Sequence, residues 1–535
     1  MILSTFKNVL FLLLVVLNLD LFGQPTEEWL STYNGPASKM DGVRAMAIDD
    51  NNNVYVTGPS DGAKKGNIDY VTIKYNSSGQ QLWLARYNGQ SNGEDWPFAV
   101  AVDVNGNSYV TGRSIGVGNV FNYATVKYNS SGVQQWATIF NSTQNDVAAD
   151  VKVDASGNVY VTGFSKGDSW AGGNAATTIK YNSSGIQQWA VDYDVAPNDG
   201  SGFNSEAGTS LAIDGSGNVY ITGRGGGDNR ILVKYNSAGV QQWVVSNTSN
   251  DGRSVLIDLA GNIVVSGWDN HIRKYDSNGA LIWDSADDTG AAFWDMTLDA
   301  AGDVYATGSI RDNGASDDYW TVKYNSNGVK QWSSRYAGSA NGIDYARSIA
   351  VDGSGNVIVT GYTTIPNGRN TISKLATIKY NAAGSQQWID IREQGRGGFS
   401  VKVDHADNVY VAGENYTKPN DYDFITYKYS SGSNQSAKAN MELGLMENHG
   451  NFQIRNYPNP FSKSTTIEYL LRSEKKIRLS IFDLSGREIK LLVDETQMAG
   501  IHRINFESIN LTAGTYVCRL IADGLVKSKE MLIIK

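Results

Sequence analysis

Two phrases of alternating apolar and polar residues recur along this chain. In one copy they read AIDGSGNVYITG (Ala212–Gly223) and LVKYNSAGVQQW (Leu232–Trp243). In each phrase, two runs of period two flank a cluster of Asp, Asn, Ser and Gly, which is the pattern of a β-hairpin. The first phrase occurs eight times, with its Asp at Asp49, Asp103, Asp154, Asp214, Asp258, Asp299, Asp352 and Asp404. The Lys-Tyr of the second also occurs eight times, ending in Tyr75, Tyr128, Tyr181, Tyr235, Tyr275, Tyr324, Tyr380 and Tyr429. Four short strands in a period of about 50 residues predict one blade of a β-propeller per repeat. We label the strands A (RAMAID), B (NVYVTG), C (VTIKYN) and D (QQLWLARYN), as in the first copy.

The tryptophans predict how the repeats close. Seven second phrases end in Trp83, Trp136, Trp189, Trp243, Trp283, Trp332 and Trp388, and the eighth loses its pattern after Tyr429. Trp29 and Tyr33–Gly35 near the start match Trp83–Gly89, so the first strand is expected to supply the missing strand D of the last blade. The expected fold is all-β: an eight-bladed propeller with no open sheet edge at the join, followed by a small Ig-like β-sandwich. Antiparallel strands place the A–B and C–D turns on one face and the B–C and D–A loops on the other. The first face is uniform in sequence. The second varies, as at Pro59–Tyr70, Phe164–Ala176, Asp194–Thr209 and Trp268–His271. Variable loops on a rigid scaffold are where binding is usually built.

Composition adds the compartment. Met1–Gly23 carries Lys7 before an apolar run, Val9–Leu19, and is expected to be a cleaved secretory signal peptide rather than a membrane span. The single cysteine, Cys518, has no internal disulfide partner. The last 84 residues, Phe452–Lys535, hold 13 basic and 9 acidic side chains, a net +4. The signal sums to zero, so the region between carries −13 of the total −9. An acidic body with no basic stripe argues against nucleic acid as a partner.

With D-x-x-G-N-V-Y-V-T-G and K-Y-N-S-x-G-x-Q-Q-W repeated in this way, the region from about Glu28 to Ser430 resembles the SBBP family of bacterial β-propeller repeats. That family is named for seven blades, which makes seven the alternative to eight. N-S-S-G-V-Q-Q-W (Asn129–Trp136) also resembles the tryptophan-docking motif of eight-bladed quinoproteins. This resemblance implies a quinone-dependent dehydrogenase. Against it, the chain has no adjacent cysteines and no c-type haem motif, and a flat aromatic between blades is itself good cement.

The remaining chemistry is sparse. DVNGN (Asp103–Asn107) resembles part of a calcium loop but lacks the Glu and flanking helices of an EF-hand, so the repeated Asp is expected to make an Asx turn. Scattered Ca²⁺ sites are compatible with an acidic exported protein, and no other cofactor is expected. The four histidines, His271, His405, His449 and His502, form no metal-ligand pair in sequence. No nucleophile elbow, zinc-protease helix or phosphate-binding loop is present, and no catalytic residue is assigned.

Five tryptophans lie outside the repeat phrases: Trp96, Trp170, Trp268, Trp294 and Trp320. Each lies in or beside a variable loop, with an acid within two residues: Asp95, Asp168, Asp269, Asp295 and Asp318. An aromatic platform beside a carboxylate suits a sugar, whose C–H face stacks and whose hydroxyls need acceptors. Packing at strand ends is the competing reading.

After Tyr429 the small polar run SSGSNQSAKAN marks a linker over 431–451. Phe452–Lys535 then reads as short strands separated by turns. Its Y-P-N-P-F (Tyr457–Phe461, with Pro458, Asn459 and Pro460), I-F-D-L-S-G-R (with Gly486), L-T-A-G-T-Y (with Gly514 and Tyr516) and terminal I-I-K ending in Lys535 resemble the type A sorting domain of the type IX secretion system. That resemblance implies export through the periplasm of a Gram-negative bacterium and passage across the outer membrane. It also implies removal of the domain by a sortase, with release or attachment at the surface. The expected function is a secreted or surface-displayed binding or adhesion module for a glycan or protein. A propeller enzyme with its site at the channel mouth and a surface-layer spacer are the alternatives.

Overall fold

The computed structural model describes residues 25–430 and 454–534, apart from short stretches at 38, 63–66, 168–174, 195–205, 226–228, 248–250, 288, 312–315, 340–341, 368–369, 394, 419–420, 458–460, 472–474, 484–486, 498–499, 510 and 523–524. The expected signal peptide and linker lie outside them. The described residues are all-β with no helix, and the repeats build a β-propeller of four-stranded antiparallel sheets.

Eight such sheets lie between Glu27 and Tyr429. The first holds Ala45–Ile48, Val54–Asp61, Ile68–Tyr75 and Gln81–Tyr87 as strands A to D, and the next six repeat this A-B-C-D order. The eighth holds Gly395–Val403, Val409–Lys418 and Asp421–Tyr429, and its outer strand is Glu27–Tyr33. The pairing runs from Glu27 opposite Tyr429 to Tyr33 opposite Phe424. The Lys428–Glu28 ion pair at 2.6 Å reinforces it, and a close Arg392–Glu27 contact ties the same outer strand to the seventh sheet.

Alternation explains the burial. Strands B and C are buried on both faces because each sheet is covered by its two neighbours, whereas strand D alternates exposed and half-buried residues. The apolar cores lie between sheets. One joins Tyr109 and Tyr123 of sheet 2 to Val161 and Tyr181 of sheet 3. Equivalent cores follow at each join, the last seating Tyr410 and Phe424 of sheet 8 against Val56 and Ile73 of sheet 1.

The repeat phrases make the joints. Each repeat Asp accepts hydrogen bonds from its own turn: Asp103 takes the N–H groups of Asn105 (3.0 Å) and Asn107 (2.9 Å), the Asn107 amide (2.8 Å) and the Tyr109 hydroxyl (2.9 Å). Its oxygens are committed to the hairpin, as an Asx turn requires. Each repeat Trp instead crosses to the next sheet. The Trp136 indole donates to the Ser183 carbonyl at 3.1 Å, and Lys127 donates to the same carbonyl at 3.2 Å. The Trp136 ring lies against Gly185, which has φ 79° and where a Cβ would sit 2.7 Å from the ring. Trp29 makes the corresponding bond to Ser77 at 3.1 Å, so this join has the same chemistry as the others.

Residues 454–534 form a separate unit. A three-stranded sheet (Ile454–Tyr457, Ser464–Leu471, Gly500–Glu507) and a four-stranded sheet (Glu488–Gln497, Lys475–Phe482, Gly514–Ala522, Leu525–Ile533) share one core containing Ile467, Leu479, Phe506, Leu520 and the buried thiol of Cys518. Phe461 clasps the last strand, donating to Leu532 at 3.0 Å and accepting from Ile534 at 2.9 Å. The Tyr516 hydroxyl donates to the Thr512 carbonyl at 3.1 Å.

Candidate functional site

The A strands of successive sheets pack on one another, and that of sheet 8 packs on that of sheet 1, so they form the layer nearest the axis. In sheets 2 to 8 this strand carries a β-bulge at one fixed place, five residues before the repeat Asp. The bulged residues are Phe98, Ala149, Thr209, Arg253, Trp294, Arg347 and Phe399, and Arg44 occupies the position in sheet 1. The Gly of each V-T-G-like phrase makes room for it. At Gly112, Gly308 and Gly361 a Cβ would collide with the carbonyl oxygen two residues before the bulge. A bulge re-aims its side chain out of the alternating pattern. All eight positions are half-buried or exposed, whereas their immediate neighbours are mostly buried.

Five of them, Arg44, Arg253, Trp294, Arg347 and Phe399, join neighbouring side chains in a belt of arginines and aromatic rings near the variable-loop end of the A strands. The Arg44 guanidinium lies 5.4 Å from the Trp96 ring and 5.5 Å from Phe399. Arg347 lies 4.3 Å from Phe399 and 5.5 Å from Tyr362, which stacks on Tyr345 at 5.7 Å. Tyr345 meets Trp294 at 5.4 Å, and Trp294 meets Trp268 edge-on at 5.2 Å. Arg253 lies 3.9 Å over Trp268. On the other side of Trp96, Arg113 sits 5.5 Å from its ring and 4.2 Å from Phe121. The belt therefore passes through sheets 2, 1, 8, 7, 6 and 5 without a break.

Cations outnumber their counter-ions here. Glu414 serves both Arg44 (3.3 Å) and Arg396 (2.9 Å), and Asp251 serves both Arg224 (3.5 Å) and Arg253 (3.8 Å). Among the described residues Arg113 and Arg347 have no ion-pair partner. Burial holds Arg44, Arg113 and Arg253 below the usual guanidinium range, partly offset for Arg44 by Glu414, yet arginine remains charged at neutral pH. Buried polar atoms of both kinds stay unpaired here: among the described residues the Nε groups of Arg113 and Arg253 and the indole N–H groups of Trp96 and Trp294 find no acceptor, and Asp95 Oδ1 finds no donor. Such a site presents flat apolar faces and unspent positive charge together.

The structure brings three of the five non-repeat tryptophans, Trp96, Trp268 and Trp294, into this belt. Trp170, with Asp168, lies outside the described residues. Trp320 differs from expectation: it is buried in the core of sheets 5 and 6, and its indole donates to Asp287 at 3.1 Å. The expected carboxylate acceptors that are described differ too, because each has an oxygen taken by an internal partner. Asp95 is buried and accepts from the Gly89 N–H at 2.6 Å. Asp269 is buried between Arg273, at 2.6 Å, and Arg230. Asp295 ties its strand to the next sheet through the Ile349 N–H at 3.1 Å, and Arg335 donates to Asp318 at 2.6 Å. The arginines were missed, although a signal existed: reading five residues back from each repeat Asp finds Arg44, Arg253 and Arg347. Of the sorting motif, Gly514 and Tyr516 are in place, while Pro458, Asn459, Pro460, Gly486 and Lys535 lie outside the described residues.

Comparison with known proteins decides the class of both parts. Residues 455–535 match the family model of the secretion system C-terminal sorting domain, and residues 85–119 and 331–368 match that of the β-propeller repeat named SBBP. The propeller thus carries SBBP-type repeats, and the chain ends in a type IX sorting domain. This tail marks the propeller for export to the cell surface or beyond through the type IX machinery. An uncharacterized WD repeat-containing protein of Acanthamoeba polyphaga mimivirus is 22% identical over 380 residues, 59% of this chain. The match spans 24% of that relative's length. Among solved structures, the C-terminal WD40 domain of Sif2 is similar at 9% identity and TM-score 0.50, covering 74% of this chain and 98% of that one. The quinohemoprotein alcohol dehydrogenase of Comamonas testosteroni is similar at 12% identity and TM-score 0.50, covering 75% of this chain and 76% of that one. These likenesses are of fold. Among the described residues no helix is long and apolar enough to cross a membrane.

Proposed function

We propose that this SBBP-repeat protein is an exported binding module whose ligand, a glycan or a protein of a cell surface, is held at the axial belt. The observation that carries the reading is the belt itself. The uniform turns spend their polar groups on the scaffold, whereas the axial bulges leave charge and aromatic faces unspent. Around it the proposal is an eight-bladed propeller over residues 24–430, closed by Glu27–Tyr33. The eight four-stranded sheets, the cycle of shared cores and the Trp29–Ser77 bond support this closure. Residues 1–23 are a cleaved signal that takes the chain through the periplasm, 431–451 a linker, and 452–535 an Ig-like sorting sandwich removed by the sortase. The binding role is our reading of the site chemistry, and no relative supplies it.

The test is to express the full chain, and the chain lacking 455–535, in a bacterium with type IX secretion. The externally recovered protein is then applied to an array of glycans and purified surface proteins. The full chain should appear outside and bind saturably, while the truncated chain should stay in the periplasm. Normal surface appearance of the truncated chain would refute the route. A full chain that binds nothing on the array would refute the binding role.

A further inference from the structure

We infer that the axial belt takes an acidic saccharide, a sugar chain bearing carboxylate or sulfate groups. This rests on the binding-module reading and names the ligand class for the same site. Three observations on separate residues converge.

The first is charge. Arg347 has no ion-pair partner among the described residues, and this exposed side chain has its guanidinium 4.3 Å from the Phe399 ring and 5.5 Å from that of Tyr362. A planar guanidinium presents paired N–H donors that match a carboxylate or sulfate. The second is stacking. Trp268 is 38% exposed, and the Arg253 guanidinium 3.9 Å over its ring shares its one carboxylate partner, Asp251, with Arg224. A pyranose offers a C–H face to such a ring, and its acidic substituent would reach the neighbouring guanidinium. The third is the fate of the local acids. Asp95, Asp269 and Asp295 accept bonds from inside the protein, so these carboxylates are turned away from a ligand. A neutral sugar asks for acceptors as well as donors. An anionic sugar brings its own acceptors. The aromatic rings favour a saccharide over an acidic peptide, which has no comparable flat apolar face.

The experiment uses the protein recovered outside cells that express the full chain and four immobilised probes: oligogalacturonate, a sulfated oligogalactan, a neutral oligogalactan of the same length, and an oligoglutamate peptide. Saturable binding to one or both acidic saccharides is expected, weakening as salt rises from low to high concentration. Preference between carboxylate and sulfate identifies the anionic group. Arg347→Ala, at an exposed position, should reduce affinity roughly tenfold or more with an unchanged melting temperature. Arg347→Lys should recover part of it, because charge returns without the planar fork. Trp268→Ala should reduce affinity while leaving the salt dependence in place. Binding confined to the neutral saccharide would overturn the acidic class and leave the binding module standing, as would tight binding that ignores both substitutions. Binding to oligoglutamate alone would likewise overturn the saccharide. No binding to any probe, or to the broader array, would remove both readings together.

Discussion

A single carbonyl oxygen in the C–D turn is the polar anchor between one sheet and the next. Ser183 O accepts from Trp136 and Lys127, Ser237 O from Trp189 and Lys180, and Ser130 O from Trp83 and Lys74. The indole fills the space that glycine leaves and takes the bond that the turn offers. Trp136→Ala should therefore cost about 3–5 kcal/mol through lost packing and the cavity left behind. Trp136→Phe keeps part of the ring and forfeits the bond, a loss of about 1 kcal/mol from that source. Denaturant unfolding of the two variants should separate in that order, and equal losses would show that the bond, not the packing, holds the joint. A second residue-scale effect is acid–base. Burial pushes Asp41 and Asp95 up to about 6, against a smaller opposing pull from hydrogen bonds. Unfolded, both would ionise near 3.9, so between these values the folded state holds more protons. Their contribution is full below about 4 and is lost as pH rises through about 6. The double variant Asp41→Asn/Asp95→Asn should therefore gain stability relative to the parent between pH 4 and 7. A difference that stays flat across that range in thermal melts would contradict the assignment.

At the scale of elements, glycine, bulge and belt are one device. The V-T-G glycine of strand B lets the A-strand carbonyl come close, the bulge forms opposite it, and in sheets 2 to 8 one extra side chain is added to the axial layer. Strand Glu27–Tyr33 is the other element with a consequence out of proportion to its length. Without it, Asp421–Tyr429 becomes an unpaired edge and the core around Tyr410 loses Trp29 and Tyr33. Removing Glu27–Tyr33 should lower the melting temperature and produce concentration-dependent association through the bared strand. A monomer of unchanged stability by light scattering and calorimetry would mean that closure does not depend on this pairing.

Across the whole molecule, what could be read from sequence was what repeats or sits close along the chain. The hairpins, the Asp turns and the tail motifs each lie within about a dozen residues, and their partners are neighbours in sequence. The Trp joints were legible as a pattern, because their partner is always one repeat away. The belt was not, because its contacts depend on which sheets face each other: Glu414 meets Arg44 across 370 positions, and Trp268 meets Trp294 only through the packing of sheets 5 and 6. The acids beside the tryptophans misled for a related reason. Proximity in sequence said nothing about which way each side chain turns, and Asp269 turns inward to Arg230 and Arg273.

The outer strand of the eighth sheet also sets how the molecule answers to force. A pull on the chain beyond Tyr429 runs along Asp421–Tyr429, which is laddered on one side to Val409–Lys418 and on the other to Glu27–Tyr33. A strand held on both flanks yields by sliding, with many bonds loaded at once. An edge strand peels, breaking them one after another. A propeller tethered at that end and tugged by its bound partner would thus bear tension in the middle of a sheet, where it resists best.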